Sequence, residues 1–206
     1  DSTIVDGETL DDIAALAGIG EQISAITQRS MNGELNFEEA LRARVALPKG
    51  KPASLMEQVW EKTKLNDGAR ELIATMRAHN ATTALVSGGF TFFTSRVREL
   101  CGFTEDHANT LPEENGILTG KVGEPILGPD AKLAHLRRLA DERGVKLSAT
   151  MAIGAGANDL PLLREAGLGL AFQGKPVVRK EIANRIDHGS LRAATVAQGY
   201  SESEFR

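Results

Sequence analysis

One cysteine, one tryptophan and one tyrosine among 206 residues rule out several kinds of protein at the outset. The lone Cys101 excludes an internal disulfide framework and a cysteine-based zinc site, and it suits a reducing cytoplasm. Aromatic residues make up only 4%, so packing falls to Leu, Ile, Val and Ala. No basic run stands out, and 24 Lys and Arg against 28 Asp and Glu give a formal charge of -4, which offers no field for nucleic acid. No apolar stretch approaches the roughly 20 residues that would span a bilayer, and no charged-then-apolar leader pattern opens the chain. The expectation is therefore a cytoplasmic protein without membrane or nucleic-acid partners. What remains, 41% apolar and 25% charged residues, is the balance of a globular chain large enough for one domain with a modest insertion.

Periodicity divides that chain in two. Between residues 8 and 64 apolar residues recur at helical spacing, with Leu10, Ile13, Ala14 and Ala17 on one face, then Ile23 and Ile26, then Phe37, Leu41 and Val45. No strand interrupts this stretch. From residue 67 the pattern alternates. A helix carrying Leu72, Ile73 and Met76 leads to a short apolar strand at 82–86 and a helix at 90–100. A hairpin near 113–120, a helix at 130–143 and a strand at 150–153 follow, and the same rhythm continues through 158–166, 168–172, 176–183 and 185–187. Such alternation reads as an α/β fold, a doubly wound parallel sheet covered by helices. Residues 1–7 and 66–206 would form its core, and residues 8–65 a helical cap inserted over the carboxyl ends of the strands, where ligands of such sheets bind.

Small and polar residues stand where strands should hand over to loops: Asp1-Ser2-Thr3, Ser87-Gly88-Gly89, and Gly154-Ala155-Gly156-Ala157-Asn158-Asp159. A hydroxyl followed by two glycines exposes backbone N–H groups ahead of a helix, a geometry that can hold an anion. The same residues also make an ordinary tight turn. A phosphate-binding G-x-x-x-x-G-K-[ST] loop is absent, and Asp159 occupies the place of the third glycine in a dinucleotide-binding turn, so both nucleotide motifs are excluded. By position alone Lys132 reads as a surface lysine, Glu8 as a helix-start acid and Arg44 as a surface cation.

Taken in order, these segments resemble the four signature motifs of haloacid dehalogenase phosphatases, and the full set is similar to their phosphoserine phosphatase branch. Asp1-Ser2-Thr3 matches the last three residues of the family's D-x-D-S-T, and Val5, Asp6, Gly7 and Glu8 follow as in the family. Met31-Asn32-Gly33-Glu34-Leu35-Asn36-Phe37 with Leu41, Arg42, Arg44 and Val45 resembles its substrate-binding stretch. Val86-Ser87-Gly88-Gly89-Phe90, Ala131-Lys132 and the segment 154–159 resemble the other three motifs.

The resemblance implies a Rossmann-like core and hydrolysis of O-phospho-L-serine, the last step of serine synthesis, through an aspartyl phosphate. Mg²⁺ would be the cofactor. It assigns Asp1 proton transfer and, through its carbonyl, metal binding; Ser87, the Gly88 and Gly89 turn and Lys132 the phosphate; Asn158 the substrate or loop; and Asp159 the orientation of metal-bound water. Glu8 would meet the substrate's ammonium group and Arg44 its carboxylate, under a lid of Met31 and Phe37.

Two departures accompany it. The family's attacking aspartate would lie two residues ahead of Asp1, so a β-branched run ending in Asp-x is expected upstream. Ala155 stands where the family has a metal-binding aspartate, and a methyl group cannot ligate a hard cation. Alternatives are a phosphatase for another small phosphorylated metabolite, or a non-catalytic protein that binds phospho-ligands. A homodimer is compatible with the sequence, which carries no signal for oligomeric state.

Overall fold

The computed structural model describes residues 1–206. Four helices, α1 (Thr9–Leu16), α2 (Gly20–Met31), α3 (Phe37–Ala46) and α4 (Leu55–Lys62), fill the first third without a strand. Most of the expected apolar stripe is buried, with Ile13, Ala14, Ile23 and Val45 fully enclosed and Ala17, Ile26 and Phe37 half-buried. Helix α3 starts cleanly because the Asn36 side chain accepts from the Glu39 amide at 3.1 Å, a cap that satisfies one otherwise unpaired N–H.

Helix α5 (Ala69–Ala78) leads into β1 (Ala84–Phe90), which extends beyond the expected strand through the Ser-Gly-Gly turn. Helix α6 (Thr91–Cys101) returns to β2 (Glu105–Asn109), parallel to β1. Strands β3 (Glu113–Glu114) and β4 (Ile117–Leu118) pair antiparallel around Asn115-Gly116. Both turn residues take positive φ, 51° and 75°, the primed turn that asparagine and glycine favour. Helix α7 (Pro129–Glu142), β5 (Met151–Gly154), α8 (Leu160–Glu165), β6 (Leu168–Phe172), α9 (Pro176–Glu181), β7 (Arg185–Ile186) and α10 (Arg192–Ala197) complete the chain. Strands β5, β6 and β7 form a second parallel sheet in that order. The α/β class and its parallel, helix-covered strands are as expected.

The two parallel sheets do not pair with each other. Strand β1 bonds only β2, and β5 bonds only β6. Residues 84–86 of β1 and 151–153 of β5 instead line one cavity of about 460 Å³, walled by Leu72, Ile73 and Met76 of α5 and by Leu136 and Leu139 of α7. It is a slot between two strands and two apolar helix faces.

Three apolar clusters organise the rest, the smallest packing Leu160 and Leu163 of α8 and Val178 of α9 on Ala152 and Ala171. One gathers Leu72, Ile73 and Met76 with Val97, Phe172, Ile186 and Leu191. Another joins Leu10, Ile13, Leu41, Val45, Met56 and Val59 of the helical insertion to Phe90, Phe93, Leu111 and Leu118. The insertion thus shares a core with α6 and the hairpin. Its two connections to the remainder are tied together: Val5 bridges Leu65, the Asp6 amide donates to the Lys64 carbonyl at 2.9 Å, and Asn66 Nδ2 donates to the Thr3 carbonyl at 2.8 Å.

Candidate active site

Every residue singled out from the sequence lines the same cavity: Asp1, Glu8, Met31, Phe37, Arg44, Ser87, Gly88, Gly89, Lys132, Ala155, Asn158 and Asp159. They come from five places in the chain, brought to one mouth at the strand ends.

The turn after β1 supplies one wall. Ser87 Oγ accepts from the Gly89 amide at 3.0 Å, which bends the chain back on itself. A methyl added at Gly89 would lie 2.9 Å from Asp1 Oδ2 and 3.1 Å from Ser87 Oγ, so the acid and the hydroxyl flank one small space that only glycine leaves free. Asp1 Oδ2 is oriented by the Thr9 hydroxyl, 3.1 Å away, and the Ser2 hydroxyl donates to Glu8.

Lys132 supplies the opposite wall. It is 8% exposed, not the surface lysine its position suggests, because it sits in the first turn of α7 pointing inward. Its ammonium donates to Asp159 Oδ1 at 2.6 Å. Asp159 Oδ2 accepts from the amides of Ala155 and Gly156 at 2.9 and 3.1 Å. Burial alone would push the Asp159 carboxyl up, but the Lys132 charge, its hydrogen bond and the two amides outweigh it and hold the group below the usual carboxylate range. Both oxygens of Asp159 are therefore engaged. Gly154 makes this possible, since a methyl there would lie 2.5 Å from Asp159 Cγ. Ala155 is 3% exposed, its methyl at the cavity wall.

Arg44 is also buried, at 8% exposure. Its hydrogen bonds go to neutral partners, the Thr27 hydroxyl at 3.1 Å and the Ala40 carbonyl at 3.4 Å, while Thr27 itself donates to Asp11. Burial draws the guanidinium pKa down, with Glu8 and Asp11 opposing. A desolvated guanidinium with donors left over is poised for an anion. The insertion closes above these groups: a methyl on Gly88 would meet Phe37 Cζ at 2.8 Å, and one on Gly156 would meet Met31 Cε at 3.5 Å.

One positioning residue escaped the sequence reading. Asn109, 2% exposed at the end of β2, donates to the Gly88 carbonyl at 3.0 Å and the Leu127 carbonyl at 3.3 Å, and accepts from the Leu127 amide at 2.7 Å. It fastens the Ser-Gly-Gly turn to the segment that starts α7. The only available signal was an asparagine closing a polar run, which resembles any loop.

Comparison with known proteins matches residues 1–167 to the haloacid dehalogenase-like hydrolase family. The chain belongs to that family. Among curated members, the phosphoserine phosphatase of Streptococcus thermophilus is 42% identical over 191 residues, covering 93% of this chain and 89% of the relative. That of Streptomyces coelicolor is 45% identical over 204 residues, but the match takes in only 50% of its length. Among solved structures, a substrate-bound phosphoserine phosphatase complex superposes with a TM-score of 0.91 at 36% identity, covering 96% of this chain and 94% of that one. A phospho-aspartyl intermediate analogue of phosphoserine phosphatase gives 0.92 at the same identity. This hydrolase-family chain thus keeps the fold of those structures. No helix is long and apolar enough to cross a membrane.

Proposed function

We propose that this chain hydrolyses O-phospho-L-serine to L-serine and phosphate. The observation that carries this reading is that one cavity holds groups for both ends of that molecule: Ser87, the Gly88 and Gly89 turn and Lys132 for phosphate, Glu8 and Arg44 for the amino acid. The names of the curated relatives favour it over a binding protein or a phosphatase for other metabolites.

A phosphoryl group in transfer spreads negative charge over its equatorial oxygens, and the Lys132 ammonium with the Ser87 hydroxyl and adjacent amides would meet that charge. Asp1, held by Thr9 beside the Gly89 turn, gives its proton to the departing serine oxygen as the bond to phosphorus breaks. In the second step it takes a proton from the attacking water. The attacking carboxylate belongs, by family resemblance, two residues ahead of Asp1, and a strand carrying it would run into the slot between β1 and β5. Residues 8–65 act as the cap, with Phe37 and Met31 excluding water. Asn158, at the cavity wall, steadies the substrate or its loop. A reducing cytoplasm is the matching compartment, given the buried free thiol of Cys101.

Mg²⁺ is the ion the family implies, supplying charge neutralisation to the phosphate. The oxygen donors here do not complete a site for it: Ala155 offers a methyl, and both Asp159 oxygens are held by Lys132 and two amides.

The test is phosphate release from O-phospho-L-serine and from O-phosphoethanolamine, which lacks the carboxylate, by this sequence and by Ala155→Asp, both carrying ahead of Asp1 a β-branched run that ends in Asp-x. Ala155→Asp is expected to release phosphate faster with Mg²⁺ and to prefer phosphoserine by at least about tenfold in kcat/KM, a bidentate Arg–carboxylate pair being lost on the other substrate. Equal rates on both substrates would refute the assignment of Arg44.

A further inference from the structure

Away from the cavity, the edge strand β2 and helix α7 bring three metal-ligating side chains together. Glu105 and His107 lie on the same face of β2, two residues apart, and His135 projects from α7 against them. Their ligand atoms all lie within 4.8 Å of one another. The two imidazoles stack with centroids 3.9 Å apart, and Glu105 Oε1 lies 2.8 Å from His107 Nε2.

A cation already stands at the focus of this trio. Arg138 Nη2 bonds Glu105 and lies 3.4 Å from His107 Nε2 and 3.5 Å from His135 Nδ1. The arrangement is internally frustrated, because His107 Nε2 cannot donate to Glu105 and accept from Arg138 at once. A metal ion would resolve it, since an ion takes a lone pair from each of the three. Arg138 has somewhere else to go: its Nη1 is held by both oxygens of Glu142 at 2.9 Å.

We propose that Glu105, His107 and His135 form a second cation site, selective for a borderline transition metal such as Zn²⁺, with Arg138 as the placeholder that the ion displaces. Two imidazoles and one carboxylate suit zinc and not magnesium, which demands oxygen. Zinc bonds of 2.0–2.2 Å would set the ligand atoms roughly 3.4 Å apart in tetrahedral geometry. The present spacing reaches that by small side-chain rotations, and the fourth position is left for water. Burial, His107 and Arg138 draw the His135 pKa down, favouring the neutral ring that ligates. The ligands are reachable from solvent, with Glu105 and His107 side chains 27% and 31% exposed. Because His135 lies one turn beyond Lys132, the bound ion would brace the helix that carries the phosphate-binding lysine against the sheet edge.

Calorimetric titration of the protein with zinc chloride, with thermal melting alongside, tests this. One zinc per chain and a saturable rise in Tm are expected. His107→Ala, His135→Ala and Glu105→Gln should each weaken binding by about 10- to 100-fold, and Arg138→Gln should tighten it by about tenfold. Melting without zinc establishes that each variant is folded. Titration of the unmodified protein without heat or Tm change overturns the proposal, as does zinc binding that survives unchanged in both histidine variants.

Discussion

Lys132 and Asp159 are two buried charges whose energies depend on each other. Together they tie the start of α7 to the 154–159 loop through a 2.6 Å contact and two amide bonds. Removing one partner strands the other, so Lys132→Met is expected to lower stability by about 3–5 kcal/mol, read by urea unfolding. The pair also sets the acid limit. A carboxyl held below its ordinary value of 3.8 contributes stability that is fully present above that pH and is lost as pH falls through the depressed folded pKa. In Lys132→Met the main cause of the depression is gone and burial pushes the carboxyl up. The acid-unfolding midpoint should therefore move to higher pH, and a midpoint unmoved in the variant would mean Asp159 is held by its amides alone.

Helix α3 shows how a local signal positions chemistry. Asn36 caps it, Phe37 begins it and Arg44 lies two turns on, so the cap residue sets the register in which ring and guanidinium enter the cavity. Asn36→Ala is expected to remove about 1 kcal/mol, a Tm fall of roughly 2–4 °C, and to raise KM more than it lowers kcat. Elements with strong periodicity were legible: the first three helices of the insertion, α5, α7 and β6 all lie where the sequence pattern puts them, while α4 fell in a stretch read only as helical. Two elements were not. Strand β2 reads Glu-Asp-His-Ala-Asn, a polar edge strand formed because β1 pairs with it, and α10 is a six-residue helix whose buried face, Ala194 and Thr195, is too short to declare a period. The site residues were recognised through family motifs. Arg44 and Lys132 could not have been found otherwise, since burial of a single cation depends on what folds over it.

At the scale of the molecule the slot between β1 and β5 dominates. It separates the two parallel sheets, and apolar side chains of both strands line it. With five or six β-branched residues ending in Asp-x ahead of Asp1, Tm is expected to be at least about 5 °C higher than with an unrelated stretch of the same length there. A scrambled extension rich in Gly and Ser is the control, and equal melting of the two would mean that the slot does not take a strand. Recognition is divided across the fold in a similar way. On the proposed reading, the groups for the amino-acid end belong to the insertion, Glu8 just ahead of α1 and Arg44 in α3, whereas those for phosphate lie on the Ser-Gly-Gly turn fastened by Asn109 and in the first turn of α7, where Lys132 is tied to Asp159. Because the two sets answer to different neighbours, a descendant of this chain could acquire a taste for other phosphorylated metabolites by changing residues around Arg44 while inheriting its phosphate grip intact.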